Sequence, residues 1–249
     1  MIFSINRPVA NIYKYKNLKS EVVTQIIYGE KFITQKKDGN FFKGYKEYDG
    51  YKGYIRSNDL RIFKERPTHK IVVGKCNVYK KPSKKYKLKI EFFLNSRIRI
   101  KKFKNNFYEF DKFWIKKNNI KPIHFKEKKF TNVTKRFLGT KYLWGGNTKK
   151  GIDCSALVQE SLKTMNIYCP RDSGDQRIFF KKDINIKNIR SGDLLFWKGH
   201  VAVALNKKKL IHAFGPKKKV VIMDIQKTIQ SILKNSRLKL LNIKRVPTN

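Results

Sequence analysis

The stretch Gly151-Ile152-Asp153-Cys154-Ser155-Ala156-Leu157-Val158-Gln159 leaves its chain few local options. It follows Tyr142-Leu143-Trp144-Gly145-Gly146, whose paired glycines mark a turn. Beyond Asp153 the apolar residues Ala156, Leu157, Leu162 and Met165 recur at roughly helical spacing. Asp153 or Ser155 can cap that helix, which puts Cys154 at its start. The unsatisfied N–H groups there carry partial positive charge and favour an anion. A thiol with an ordinary pKa of about 8.5 is therefore expected to shift toward thiolate, the form that attacks carbonyls. The same residues also suit a buried small hydrophobe, the usual fate of a free cysteine. This stretch alone does not choose between them.

The histidines weigh on that choice. The chain has four. His200 opens the apolar run Val201-Ala202-Val203-Ala204-Leu205, and His212 lies in Leu210-Ile211-His212-Ala213, beyond an Asn206-Lys207-Lys208-Lys209 turn. Two antiparallel strands joined so tightly can bring both imidazoles together. A thiolate, a base on a facing strand and a third group orienting that base make a nucleophilic triad. His69 and His124 stand in loop-like contexts and receive no role.

Taken as a set, several motifs resemble the NlpC family of papain-like cysteine peptidases, which act on bacterial cell-wall peptides. They are Tyr-x-Trp-Gly-Gly at 142–146, Gly-x-Asp-Cys-Ser at 151–155, Pro170-Arg171-Asp172-Ser173 with Gln176, Ser191-Gly192-Asp193-Leu194-Leu195-Phe196, His200-Val201 and Ile211-His212-Ala213. The match spans roughly residues 130–225 in the family's order. Ala156 and Ala202 replace residues that are usually glycine, small for small. The resemblance implies Cys154 as nucleophile, His200 as general base and His212 as the residue orienting it. It also implies a helix bearing the cysteine packed on an antiparallel sheet, an α+β fold.

The first 65 residues read as short β-branched and aromatic strands separated by turn signals, the pattern of a small β-barrel. Tyr28-Gly29-Glu30 and Asp49-Gly50-Tyr51-Lys52-Gly53-Tyr54-Ile55 resemble a bacterial SH3-like domain, a module that often precedes NlpC-type domains. After the break at Glu65-Arg66-Pro67-Thr68 the rhythm repeats more faintly. Asn77-Val78-Tyr79-Lys80 parallels Asn11-Ile12-Tyr13-Lys14, which suggests a second, degenerate barrel. The expected organisation is an SH3-like barrel at 1–65, a second at 66–125 and the catalytic domain at 126–249. Within the last, helices are expected over 130–138 and 225–234, and a closing strand over 238–243.

Together these resemblances imply hydrolysis of the γ-D-glutamyl–diamino acid bond in peptidoglycan stem peptides. Relatives with this layout resemble dipeptidyl-peptidase-type recycling enzymes acting on a free N-terminal L-alanine. Tyr142, Trp144, Asp153, Ser155, Asp172 and Ser173 match positions lining the family's groove. Asp153 would suit an ammonium group, the hydroxyls would suit the D-glutamate carboxylate, and the Tyr142 hydroxyl would aid the oxyanion. Capping and turn formation compete for the short polar residues. Two alternatives keep the sequence: an amidase or acyltransferase on another substrate, and a non-catalytic binder of wall fragments or polyanions.

Charge and cysteine content narrow the remaining classes. A formal charge of +41 raises nucleic-acid binding. The lysines are dispersed along the whole chain, however, and Asn and Ile are abundant, the bias of a genome poor in G and C, so no specific nucleic-acid partner is expected. Cys76, Cys154 and Cys169 give an odd count without regular spacing, which fits a reducing compartment. Neither they nor the histidines show paired zinc spacing, so no metal or cofactor is expected. Without an apolar leader or a run of about twenty apolar residues, a cytoplasmic monomer with no membrane partner is expected.

Overall fold

The computed structural model describes residues 1–247 of the chain. It divides into two units, Met1–Phe125 and Lys126–Asn249.

In the first unit, strands between Ile2 and Ile62 form a seven-stranded antiparallel sheet. Alternation sends Ile5, Ile12, Ile26, Phe32 and Ile55 inward, and all five are fully buried. Each such side chain contributes about 1.5–3 kcal/mol through the water it sheds. Residues 69–122 add a five-stranded and a three-stranded sheet. His69 starts a strand there, where a loop was expected, because its backbone pairs with Ile98 and Pro122. Tyr28 belongs by sequence to the first sheet but packs into the core of the later strands. Its ring meets Phe92 edge-on at 4.9 Å and Phe110 at 5.8 Å, and its hydroxyl donates to Asp111. Arg61 also reaches Asp111, and its Nη2 lies 3.1 Å from the Tyr28 oxygen. Gly29 follows with φ +75°, and a Cβ there would stand 1.9 Å from the Arg97 carbonyl oxygen. No other residue fits so close an approach.

The second unit is α+β. Its helices are α1 (Phe130–Arg136), α2 (Cys154–Lys163), α3 (Ser173–Phe179) and α4 (Ile225–Ser236). Its six-stranded antiparallel sheet runs in the order Lys182–Asp183, Asn242–Arg245, Leu194–Trp197, His200–Ala204, Lys209–Phe214 and Lys219–Asp224. The closing strand therefore starts later than the 238–243 expected for it and overlaps that range only at Asn242 and Ile243. Leu238 and Leu240 instead pack against the core beside α4, and pairing begins only at Asn242. Helix α3 gave no signal in the sequence, because it opens on polar residues and Gly174 without apolar periodicity.

Helix α2 is buried on every side, including Gln159, Glu160, Ser161 and Lys163. A helix enclosed on all faces belongs to a core, and its polar groups need internal partners. Gln159 Nε2 accordingly donates to the Cys169 carbonyl at 3.0 Å, and Lys163 pairs with Glu160 at 3.4 Å. The helix packs against α1, α3 and the strands carrying His200 and His212. This fixes the start of α2 against the sheet.

Candidate active site

Cys154 is the first residue of α2, and Asp153 is its N-cap, in extended conformation at φ −94° and ψ 177°. Asp153 Oδ1 accepts from the Ala156 N–H at 2.8 Å, and Oδ2 accepts from the Gly145 N–H at 3.0 Å. The aromatic turn is thereby tied to the helix start. Asp153 N–H donates to the Gly146 carbonyl at 3.1 Å and Leu143 N–H to that of Ile152 at 3.2 Å. Gly145 has φ +72°, so the turn needs a residue at ease there.

On the opposite side stands the hairpin Leu194–Trp197/His200–Ala204, which pairs Trp197 with His200 across Lys198-Gly199. Gly199 has φ +72°, a left-handed conformation in which glycine is at ease. Its carbonyl oxygen lies 4.0 Å from Cys154 Sγ, so the hairpin tip and the helix start meet at the thiol. His200 Nε2 and His212 Nδ1 are hydrogen-bonded at 2.9 Å. Phe214 stacks on the His212 ring at 4.5 Å and 12°, while Trp197 flanks His200 at 5.7 Å. These rings hold both imidazoles in place.

Burial sets the electrostatics. The Cys154 thiol is pushed up to about 12, chiefly by loss of water and next by the Asp153 charge. The N–H groups of Val201 and Ser155 and the Arg171 charge oppose this without overcoming it. The expectation of a thiol lowered by the helix start is thus corrected. At 5% exposure the thiolate loses more hydration than one helix turn returns. Burial likewise lowers His200 to about 4, and burial followed by His200 lowers His212. Thiol and imidazoles are therefore all neutral at rest.

A pH dependence follows from these shifts. Neutral His200 can accept a proton until the pH falls toward 4, so the acid limb of kcat/KM is expected well below pH 6. A midpoint at 6.5 or above in a pH–rate series contradicts it. Stability moves with the same sign. The unfolded chain binds protons below about 6.5 that the buried rings refuse, so the second unit weakens as pH falls from there toward 4.

The residues expected to line the groove separate into two groups. Trp144 is 61% exposed and Asp172 is exposed at the N-cap of α3. Tyr142 is partly buried near Cys154, and its phenol is pushed up to about 12, first by burial and then by Cys154. Asp153, Ser155 and Ser173 are buried instead. Asp153 is engaged within the protein. Both of its oxygens are spent on the N-cap, on Gly145 and on Arg171, whose Nη1 and Nη2 reach them at 3.0 and 2.5 Å. Ser155 Oγ donates to Asp153 Oδ1 at 3.2 Å and accepts from Arg171 Nη1 at 2.9 Å.

Arg171 is 3% exposed and received no role from the sequence. An arginine so fully buried requires an anionic partner, but its identity as Asp153, eighteen residues earlier, needed the fold. Gln176 is similar: Nε2 donates to the carbonyls of Ser155 and Pro170 at 3.0 and 2.9 Å, tying α3 to α2. Met223 carries no functional signal in the sequence, yet its Sδ lies 3.3 Å from His212 Nε2. Among the described residues, no group of His, Cys, Asp and Glu is placed to hold a metal ion.

Residues 139–235 match the NlpC/P60 family, and residues 13–60 match the bacterial dipeptidyl-peptidase Sh3 domain. Residues 139–235, within the second unit, are an NlpC/P60 domain. The chain is 25% identical over 231 residues to a gamma-D-glutamyl-L-lysine dipeptidyl-peptidase of Bacillus subtilis (strain 168), covering 84% of this chain and 77% of that one. A probable endopeptidase NlpC homolog of Haemophilus influenzae is 37% identical over 90 residues, 35% of this chain and 49% of that one. The crystal structure of an NlpC/P60 family protein from Bacillus cereus ATCC 10987 shares the fold. Its TM-score is 0.83 at 19% identity, over 98% of this chain and 99% of that one. With its NlpC/P60 domain, the protein is a cysteine peptidase. The Cys154 thiol, the hydrogen-bonded His200–His212 pair and the Asp153–Arg171 pair all lie within the matched residues 139–235.

Proposed function

We propose that this peptidase hydrolyses the γ-D-glutamyl–L-diamino acid bond of peptidoglycan stem peptides that bear a free N-terminal L-alanine, a step in cell-wall recycling. The observation that carries this reading is the Cys154, His200 and His212 set inside an NlpC/P60 domain that follows a dipeptidyl-peptidase Sh3 domain. Similarity over most of the chain to a dipeptidyl-peptidase named for the γ-D-glutamyl-L-lysine bond supports it.

In this mechanism the Cys154 proton passes to His200 Nδ1, since Nε2 is held by His212. The sulfur attacks the γ-carbonyl carbon of D-glutamate and its oxygen becomes an oxyanion. The Cys154 backbone N–H at the helix start and the protonated Tyr142 hydroxyl are the donors proposed to face it. Each preorganised donor is worth about 2.7–4 kcal/mol of barrier. Collapse breaks the C–N bond, the proton on His200 moves to the departing amine, and a thioester remains on Cys154. A water molecule then gives a proton to His200 and attacks the thioester. This releases L-Ala-D-Glu and restores the thiol.

Mass spectrometry of L-Ala-γ-D-Glu-diaminopimelate incubated with the wild type, with Cys154→Ala and in N-acetylated form tests the reading. Release of L-Ala-D-Glu is expected from the free amine and by the wild type alone. Equal cleavage of the blocked peptide overturns the recycling assignment in favour of intact wall. Cleavage of neither overturns the bond assignment.

A further inference from the structure

The two nitrogens of His212, which is completely buried, have chemically different neighbours. Nδ1 lies 2.9 Å from His200 Nε2, and Nε2 lies 3.3 Å from Met223 Sδ. A thioether has lone pairs and no hydrogen to give, so that contact is a hydrogen bond in one sense only, with Nε2–H donating. A neutral imidazole has a single N–H. With it on Nε2, His212 Nδ1 becomes an acceptor, and the proton between the rings must reside on His200 Nε2. The bare lone pair of His200 then falls on Nδ1, the atom that takes the thiol proton.

We propose that Met223 is a positioning residue whose thioether fixes the tautomers of both histidines and so keeps the basic nitrogen of His200 available to Cys154. The opposite arrangement shows why a partner is needed. If His212 carried its proton on Nδ1, its Nε2 lone pair would face the sulfur lone pairs. His200 would then hold its proton on Nδ1 and have nothing with which to accept another. The thioether is a weak acceptor, but in a buried site it biases the choice, because the competing arrangement makes no bond to it.

The position follows from the sheet. Val221 is the register partner of His212, and Met223 lies two residues further along the same strand. Residues i and i+2 share a face, so the Met223 side chain lies diagonal to the imidazole. It also packs against the cluster containing Trp197, Ala202 and Leu210, contacts that restrict a side chain otherwise flexible.

The inference rests on His200 acting as base. It is tested first without substrate, so that its failure is separable from failure of the proposed bond specificity. Nitrogen-15 NMR of the full-length wild type, labelled in histidine, is expected to show both His200 and His212 protonated on Nε2 at pH 7.5. A proton on His212 Nδ1 overturns the proposal. Met223→Leu keeps the volume and removes the acceptor. Mixed tautomers are expected, with kcat lowered about two- to tenfold and KM unchanged. Met223→Gln, whose amide oxygen accepts, is expected to restore a single tautomer. A Met223→Leu protein with unchanged tautomers and kcat sinks the idea, and if that variant fails to fold the wild-type spectrum still decides.

Discussion

Replacing Arg171 by methionine is expected to remove about 3–5 kcal/mol from the stability of the second unit, a large part of what such a domain has. The reason is the group left behind. Arg171 reaches both oxygens of Asp153 and the Ser155 hydroxyl in a site where the two side chains are 2% and 7% exposed. Without the guanidinium, the Asp153 carboxylate stays buried with only the Gly145 and Ala156 N–H groups and the Ser155 hydroxyl. Those bonds do not cancel a full charge in a medium that screens poorly. The Arg171→Met/Asp153→Asn double variant removes both charges and should regain much of the loss. The difference between single and double variants measures the coupling. Hydrogen exchange over residues 126–247, followed against denaturant, provides both numbers. A loss below about 1 kcal/mol for the single variant would show that the carboxylate is stabilised in some other way. Activity should fall as well, because the uncompensated Asp153 charge raises the Cys154 thiol further.

Apart from the nucleophile itself, a large loss of turnover is expected at His200. His200→Ala removes the proposed general base and the partner of His212, and kcat should drop by about 10⁴- to 10⁶-fold. The thiol stands near 12 by burial, so bulk solvent at neutral pH leaves almost no thiolate once the internal acceptor is gone. His212→Ala should cost less, since it disturbs the orientation and tautomer of His200 without removing the base. The double variant should be no slower than His200→Ala alone, because residues that act as a unit lose their effects together. Stopped-flow or mass-spectrometric turnover of the stem tripeptide at pH 7.5 checks this. Additive losses would mean that His212 acts on the substrate by a separate route.

The reading of Cys154 shows where sequence reasoning reached its limit. Spacing located the helix and Asp153 as one of two possible caps, and the cap geometry bears that out. A helix start is a local feature, so its favourable dipole was legible. Desolvation is a tertiary quantity. It depends on α1, α3 and two strands closing over α2, and it reverses the direction of the thiol shift. The internal partners of the Asp153 carboxylate were not legible for a related reason. A short acidic side chain at a cap looks available for a ligand until a buried arginine from another segment takes its oxygens.

The histidine pair was legible because its cause is nearly local. Two apolar runs joined by a tight turn form neighbouring strands, and His200 and His212 then face each other. Met223 was not legible, since a methionine in an apolar strand looks like core until register sets it diagonal to His212. Tyr28 likewise reads only as part of the Tyr28-Gly29-Glu30 motif, while the fold inserts it among Phe92 and Phe110.

By itself, the sequence determined the elements with strong short-range causes. These are the Asp153-capped helix carrying Cys154, the turn with its glycines, the His200–His212 hairpin and the alternating strands of the first 65 residues. Periodicity, capping and turn chemistry act within about ten residues, so the order of side chains along the chain specifies them. Only the tertiary structure decided which atoms are deprived of water and which partners they find there. That includes the neutral resting thiol, the Asp153–Arg171 pair and the thioether beside His212. These depend on what distant segments bring together, because burial and hydrogen bonding between segments have no counterpart in local sequence.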